Sequence, residues 1–330
     1  IDLAARERRE IEIDLREAVA RGQLNLHYQP VIDLQSGSVV GYEALLRWYH
    51  PKRGIIGPAD FLEVAEETGL IVPIDRWVLR QVCHQMVIWN DMYRPEDPFW
   101  MSVNVSGKHF SDTSLPGLVG EVCEETGIEG ERLRLELTES VVMEDVELAK
   151  GMLAQLKKLG VRLSIDDFGT GYSSLSSLHH FPIDTLKIDQ AFVREVPGDT
   201  DDTAITTAII ALGHGLHMDV VAEGVETEPQ LSFLKEQGCD RAQGYLLSRP
   251  IPADQFEAFH AMAEAGTGIE DIAARFGVTA LFVRQRLKLA RVSPVLFEAY
   301  RQGEMTLDHL MAFTITQDHA EQEKVWNALP

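Results

Sequence analysis

The sequence has few cysteines and no long apolar run. Its three cysteines, Cys83, Cys123 and Cys239, are scattered through 330 residues. Scattered thiols in an odd number argue against a disulfide framework and a zinc cluster, and they suit a reducing compartment. No stretch of about 18 apolar residues occurs, so we expect no membrane segment and a cytoplasmic protein. The chain begins at Ile1 with charged residues and shows no signal peptide, which we interpret as a fragment lacking an upstream sensory domain.

Positive charge is scarce as well. The chain has 30 basic and 52 acidic residues, a net charge of −22. Such an excess repels nucleotides and nucleic acids unless metal ions or a local basic patch reverse the field. Residues 267–330 hold 7 Lys or Arg and 8 Asp or Glu, so the excess lies almost wholly in residues 1–266. The 45% hydrophobic and 25% charged content is that of a globular protein, which excludes wholesale disorder.

The sequence predicts three segments. Residues 1–22 are charge-dense with an amphipathic pattern, which we interpret as an N-terminal linker helix. Residues 23–264 form the main domain. A run of small residues near 265–268 interrupts two helical patterns, so residues 267–330 are predicted to be a separate small all-α domain.

Eight β-rich runs alternate with helical patterns in the main domain. The predicted strands are 24–33, 39–48, 99–105, 132–138, 161–167, 185–190, 219–225 and 241–247. The predicted helices are 59–68, 75–91, 144–159, 203–217 and 227–237. Only the first two strands are joined by a short turn, so they should form an antiparallel hairpin, whereas intervening helices indicate parallel pairing. This α/β pattern predicts a (β/α)8 TIM-type barrel with an antiparallel first strand; a doubly wound open sheet is the alternative.

Polar residues lie at or near the carboxyl ends of these strands. In a barrel of parallel strands those ends meet on one face, where such barrels place their active sites. Several carboxylates aimed at one space are costly to bury and raise one another's pKa, and a divalent cation would remove that cost. The residues are Gln29, Glu43, Arg47, Asn104, Glu136, Asp166, Asp167, Lys187, Glu223, Glu226 and Gln243.

The ligand chemistry indicates which ion would bind. Carboxylate and amide oxygens suit Mg²⁺ or Mn²⁺ better than zinc or copper. Neighbouring residues on a strand face opposite ways, so Asp166 and Asp167 can both reach an ion only where the strand ends, at 168–171. One aspartate bridging two ions beside a second that binds one would build a two-metal site for attack on phosphorus, with Lys187 as a positive donor. Taken singly, a strand-end carboxylate would more simply be a helix cap or loop anchor.

Several linked motifs resemble the EAL-domain cyclic di-GMP phosphodiesterases. The resemblance covers about residues 10–262 in the right order. The first motif is Glu43-Ala44-Leu45-Leu46-Arg47-Trp48. The others are 102–104, 136–139, 166–175, 187–189, 222–226 and 243–245.

The resemblance implies hydrolysis of one phosphodiester bond of cyclic di-GMP to linear pGpG, with two bound Mg²⁺ or Mn²⁺ ions. Four residues would hold one ion: Glu43, Asn104, Glu136 and Asp166. Three would hold the other: Asp166, Asp167 and Glu223. Lys187 would position the attacking water, and Glu223 is a candidate general base. Glu226 and Gln243 would support that site.

The resemblance also implies substrate contacts and a dimer. Arg47 would contact a phosphate and Gln29 the bound dinucleotide. Glu139 would anchor the loop 166–175, which in the family lies at a homodimer interface and couples dimer state to metal binding. Every ligand position keeps the family's residue, which favours an active enzyme. The alternative is a catalytically silent cyclic di-GMP receptor with output through a DNA-binding C-terminal segment. No cyclase-type GG(D/E)EF motif occurs.

Residues 269–291 fit a helix-turn-helix pattern, with Ala273 at the helix crossing and Gly277 in the turn. The second helix carries a run of basic residues that would meet phosphates if it entered a major groove. A small helical interaction module that binds no DNA is the alternative. The stretch 269–329 resembles the helix-turn-helix region of ParB-type partition proteins. That resemblance implies DNA contact by Arg284, Arg286 and Lys288.

Overall fold

The protein is described by a computed structural model. It describes residues 3–93, 99–170 and 178–255 without a break. Beyond them it describes residues 257, 269, 271, 273, 279, 280 and 283, and then 292–328 except for 303, 304, 306, 314, 315 and 317.

Eight strands close into a barrel. The strands of the described residues are β1 (Leu24–Asp33), β2 (Val39–His50), β3 (Gly54–Ile56), β4 (Trp100–Asn104), β5 (Leu133–Thr138), β6 (Arg162–Phe168), β7 (Thr185–Ile188), β8 (Asp219–Ala222), β9 (Arg241–Ala242) and β10 (Ile251–Pro252). From β2 to β9, apart from the short β3, neighbouring strands pair in parallel, and β1 pairs antiparallel with both β2 and β9 to complete the ring. This confirms the predicted α/β barrel with an antiparallel first strand and excludes the open sheet.

Helices alternate with the parallel strands, as predicted. Among the described residues, the α-helices are Leu3–Ala18, Leu62–Thr68, Ile71–Tyr93, Gly107–Phe110, Leu115–Thr126, Glu139–Glu144, Val146–Lys158, Gln190–Val193, Thr200–Gly215, Glu228–Glu236, Pro294–Arg301, Leu307–Ala312 and His319–Trp326. Helix Leu115–Thr126 contains Pro116 near its start. The proline lies in the first helical turn, where its missing N–H is not needed.

Alternation along β5 shows how the strands supply both the core and the site. Leu133, Leu135 and Leu137 are buried in the hydrophobic core. The residues between them point into the barrel, where Arg134 donates to the Thr185 hydroxyl and Glu136 accepts from Lys187, both on β7. The barrel interior is therefore polar near its axis.

Two strands end at least three residues earlier than predicted. The runs 219–225 and 241–247 leave the sheet after Ala222 and Ala242. The chain turns sharply at Gly224, whose φ is 68°. A Cβ on Gly244 would lie 2.1 Å from the carbonyl oxygen of Val225, so the two loops touch backbone to backbone and only glycine fits there.

The C-terminal residues that are described pack as short helices. Ile269 donates its backbone N–H to the hydroxyl of Tyr300, and the rings of Phe313 and Trp326 meet edge to face. Arg284, Arg286 and Lys288 lie outside the described residues, so the helix-turn-helix, its ParB likeness and the domain boundaries stay predictions. Across the described helices, none is both long and apolar enough to cross a membrane.

Candidate active site

Four carboxylates, each on a strand or directly after one, surround one ammonium group. Lys187 on β7 is buried, and its Nζ lies 2.6 Å from Glu223 Oε1 and 2.7 Å from Glu136 Oε2. The same Nζ lies 3.3 Å from Asp166 Oδ1 and 3.5 Å from Glu43 Oε2. These residues are distant in sequence, and they meet because parallel strands bring their carboxyl ends to one mouth.

The carboxylates form two overlapping triplets that could each hold a cation. Glu43, Glu136 and Asp166 offer oxygens within 4.8 Å of one another. Asp166, Asp167 and Glu223 do the same. Asp166 belongs to both triplets, so it is the carboxylate that could contact two cations. The side-chain amide of Asn104 donates to Glu43 Oε1 at 2.8 Å and so lies beside the first triplet.

The end of β6 allows adjacent aspartates to share this space. The strand ends at Phe168, one residue after Asp167. Its register with β7 shifts between Ile165 and Phe168. Asp167 itself has a φ of 53°, a conformation that aspartate tolerates better than most residues, and its N–H donates to Asp166 Oδ1 at 3.0 Å. This irregularity turns the second carboxylate toward the first.

The mouth holds more negative charge than Lys187 can balance. Burial, with Glu43 and Asp166 nearby, raises the pKa of Glu136 to about 8 despite Lys187. Burial and Asp166 raise the pKa of Asp167 to about 6. At Glu43, burial alone would raise the pKa, but Lys187 and the amides that donate to Glu43 outweigh it and lower the pKa. This all-oxygen cluster with surplus charge suits a hard divalent cation.

Two glutamines hold Glu43 from behind. Gln243 Nε2 donates to Glu43 Oε2 at 2.6 Å and to Gln29 Oε1 at 3.0 Å. Gln29 lies directly opposite Glu43 in the antiparallel β1–β2 ladder. All three side chains are buried. Gln243 and Gln29 therefore fix the orientation of a candidate ligand, as outer hydrogen bonds do in metal sites.

The remaining predicted residues lie at the rim or behind it. Glu139 is buried, and its Oε2 accepts the N–H of Gly169 at 3.1 Å, as a loop anchor would. Residues 171–177 of that loop lie outside the described residues. Arg47 is half-buried within electrostatic reach of Glu43 and Tyr245. Glu226 is exposed at the mouth.

The mouth opens into a cavity of about 230 Å³. Besides two glycines, its walls include three residues to which we assigned no role from sequence: Leu45, Gln190 and Tyr245. Gln190 directly follows the 187–189 motif, which was the available signal for it. Tyr245 is 45% exposed, and the guanidinium carbon of Arg249 lies 4.3 Å from the centre of its ring.

Comparison with known proteins gives consistent matches over this part of the chain. Residues 12–250 match the EAL domain family. MucR of Pseudomonas aeruginosa, a bifunctional diguanylate cyclase/cyclic di-GMP phosphodiesterase, is 47% identical over 255 residues, which are 77% of this chain and 37% of MucR. The cyclic di-GMP phosphodiesterase NbdA of the same species is 42% identical over 250 residues, which are 76% of this chain and 32% of NbdA.

A solved structure supports the same relationship. The MucR phosphodiesterase in complex with c-di-GMP superimposes with a TM-score of 0.72 at 47% identity, covering 75% of this chain and 99% of the solved one. The chain spans only 37% and 32% of the full lengths of MucR and NbdA.

Proposed function

Because the chain belongs to the EAL domain family, we propose that it is a phosphodiesterase that hydrolyses one phosphodiester bond of cyclic di-GMP to give linear pGpG. The observation that carries the proposal is the pair of carboxylate triplets that share Asp166 around Lys187. MucR and NbdA are named for the same activity, and the solved MucR domain is bound to this nucleotide.

Two Mg²⁺ or Mn²⁺ ions are the cofactors that fit this site. Glu43, Asn104, Glu136 and Asp166 would hold one, and Asp166, Asp167 and Glu223 the other. When bound, the ions would neutralise the phosphodiester anion and make the attacking water more acidic. The support is the donor set, which is all oxygen, and the raised pKa values of Glu136 and Asp167, which reflect crowded negative charge that a bound cation would relieve.

Lys187 and Glu223 would have different roles toward the attacking water molecule: Lys187 would orient it and Glu223 would accept its proton. An ammonium group has three donors and no acceptor, so Lys187 can orient water only by donating a hydrogen bond to it. Glu223 is the most accessible of the four carboxylates, with 19% of its side chain exposed, against 11% for Asp166 and less for the others. Glu223 is therefore the carboxylate that faces the mouth, where it would accept the proton as general base.

The substrate would be held from the rim. Arg47 would contact a phosphate, since a guanidinium presents paired donors to phosphate oxygens. Gln29 would contact the dinucleotide from the wall of the cavity. Gln243 would support the metal site by orienting Glu43 through a hydrogen bond, and Glu226 would support it from the rim.

Product analysis tests the proposal. Incubation of the protein with cyclic di-GMP and Mn²⁺ or Mg²⁺ should yield pGpG on chromatography, and Glu43→Gln should abolish it. Glu124→Gln, on the exposed side of helix Leu115–Thr126, is the matched control and should behave as wild type. Nucleotide binding without any pGpG would instead establish the silent receptor.

We also propose a homodimer through the loop after Asp167. The bond from Gly169 to Glu139 supports this because it ties the start of that loop to the barrel. Light scattering should give twice the mass of the 36.9 kDa chain, and a monomer at all concentrations would contradict it. DNA contact by Arg284, Arg286 and Lys288 is tested by a mobility shift that weakens with salt and disappears when the three are neutralised.

A further inference from the structure

A short turn at the mouth, residues Gly244–Ser248, is held by several hydrogen bonds to other parts of the molecule. We refer to it as the mouth turn. It follows Gln243, and its own N–H from Leu247 donates to Gly244 O at 3.1 Å. Leu246 N donates to Val225 O at 3.0 Å, which joins the turn to the loop that carries Glu223. The turn therefore lies between two parts of the candidate site.

A buried chain of hydrogen bonds connects the mouth turn to a candidate metal ligand. Gln29 Nε2 donates to Ser248 O at 3.0 Å. Gln29 Oε1 accepts from Gln243 Nε2 at 3.0 Å, and the same Nε2 donates to Glu43 Oε2 at 2.6 Å. Each side chain in the chain is at most 6% exposed. A displacement of the Ser248 carbonyl would therefore be transmitted to Glu43.

The mouth turn has one more anchor, and it comes from outside the matched family domain. Thr279 Oγ1 donates to Leu247 O at 2.7 Å. Residue 279 lies 29 positions beyond 250, where the family match ends. Thr279 is itself held, because its carbonyl accepts the N–H of Val283, which is fully buried. The carbonyls of Leu247 and Ser248 thus receive neighbouring hydrogen bonds, one from the C-terminal segment and one from the barrel.

We propose that Thr279 is a positioning residue for the candidate metal site. Its hydroxyl fixes the mouth turn, and the turn fixes Glu43 through Gln29 and Gln243. The inference deepens the proposed function and rests on it. It gives the C-terminal segment a role in the chemistry of the barrel that does not require DNA. Outer hydrogen bonds orient metal ligands, so the effect falls on ion and substrate affinity more than on folding.

The test compares Thr279→Val, which removes the hydroxyl at nearly constant shape, with Thr279→Ser, which retains it. Calorimetric titration of the full chain with MnCl₂ alone should show affinity weakened about threefold in Thr279→Val and restored in Thr279→Ser, a coupling in the range seen along such networks. Steady-state assays with cyclic di-GMP should show a matching rise in KM or in the Mn²⁺ needed for half activity, with kcat within about twofold. The Mn²⁺ dissociation constant and KM do not depend on the fraction of folded protein, unlike kcat. Thr279→Ala replaces the valine variant if the latter does not accumulate.

Equal constants for wild type, Thr279→Val and Thr279→Ser would overturn the inference. Loss in both substitutions alike would also overturn it, because the hydroxyl would then be irrelevant. A wild-type protein that forms no pGpG would refute the proposed hydrolysis separately, since the MnCl₂ titration still compares the variants without turnover.

Discussion

Glu136 is a buried carboxylate at the mouth of the barrel and Asp184 is a half-buried carboxylate at the opposite end, the floor, and their neighbours differ. Glu136 at the mouth shares Lys187 with three other carboxylates. Asp184 at the floor contacts two cations: Lys157 Nζ lies 2.8 Å and Arg162 Nη1 2.9 Å from its Oδ1. Its Oδ2 also accepts the N–H of Leu163 at 2.8 Å.

The pKa values follow from these neighbours. Burial and like charges raise the pKa of Glu136 to about 8. Burial alone would raise the pKa of Asp184 too, but Lys157, the Leu163 N–H and Arg162 outweigh it and lower the pKa. A lowered carboxylate pKa stabilises the folded state at neutral pH, and a raised one destabilises it. Asp184 at the floor thus contributes stability at neutral pH, whereas Glu136 and Asp167 at the mouth cost stability that bound cations would restore.

The largest expected effect is on turnover. Asp166→Asn removes the carboxylate common to both triplets and should lower kcat/KM about a thousandfold or more. It should leave the free energy of unfolding of the ion-free protein within about 1 kcal/mol of wild type, since one like charge is also removed. Chromatography of pGpG and chemical denaturation in EDTA measure the two quantities. A large loss of stability would contradict the contrast between mouth and floor.

Cation addition should be stabilising through the mouth alone. At about 100 times its dissociation constant, Mn²⁺ should add about 2.7 kcal/mol to the free energy of unfolding. The gain should be absent from Asp166→Asn and unchanged in Asp184→Asn. Denaturation curves with and without EDTA give the comparison. A gain retained by Asp166→Asn would place the ion elsewhere.

Asp184→Asn should show the reverse pattern. It removes a half-buried charge that contacts two cations and should lower the free energy of unfolding by about 2 kcal/mol, the range for hydrogen bonds to charged groups. Because Asp184 lies at the floor, kcat and KM should stay within about twofold of wild type. Glu124→Gln, an exposed acidic position, should change neither quantity. Turnover lost in proportion to stability would show that the two ends are not separate.

The smallest effect is the pH dependence of that difference. In the folded protein the pKa of Asp184 lies below its unfolded value of about 3.9. Its contribution is therefore complete above that value and is lost as the pH falls through the folded pKa. The stability gap between wild type and Asp184→Asn should stay constant from about pH 5 to 7 and close below about pH 4. A gap that persists at low pH would assign the stabilisation to something other than the charge.

The mouth was largely predictable from sequence, whereas the floor was not. Carboxylates at or near the ends of apolar strands are visible in the sequence, and their number predicts a single site. Asp184 carries no such signal, because its cations come from 22 and 27 residues away and are ordinary surface residues in the sequence.

Local irregularities were also beyond prediction. The early end of β9 depends on the contact of Gly244 with Val225, which is made only when the loops have folded together. The left-handed backbone of Asp167 depends on a register shift between β6 and β7. Both are set by packing between distant segments, so periodicity along the chain carries no trace of them.

Formation of pGpG from cyclic di-GMP by wild type, Asp166→Asn and Asp184→Asn, assayed side by side with Mn²⁺, tests the central claim most directly. The account predicts product from wild type and Asp184→Asn at similar kcat, and product formation at least about a thousandfold slower from Asp166→Asn. Product from Asp166→Asn at the wild-type rate, or none from any of the three, would contradict it.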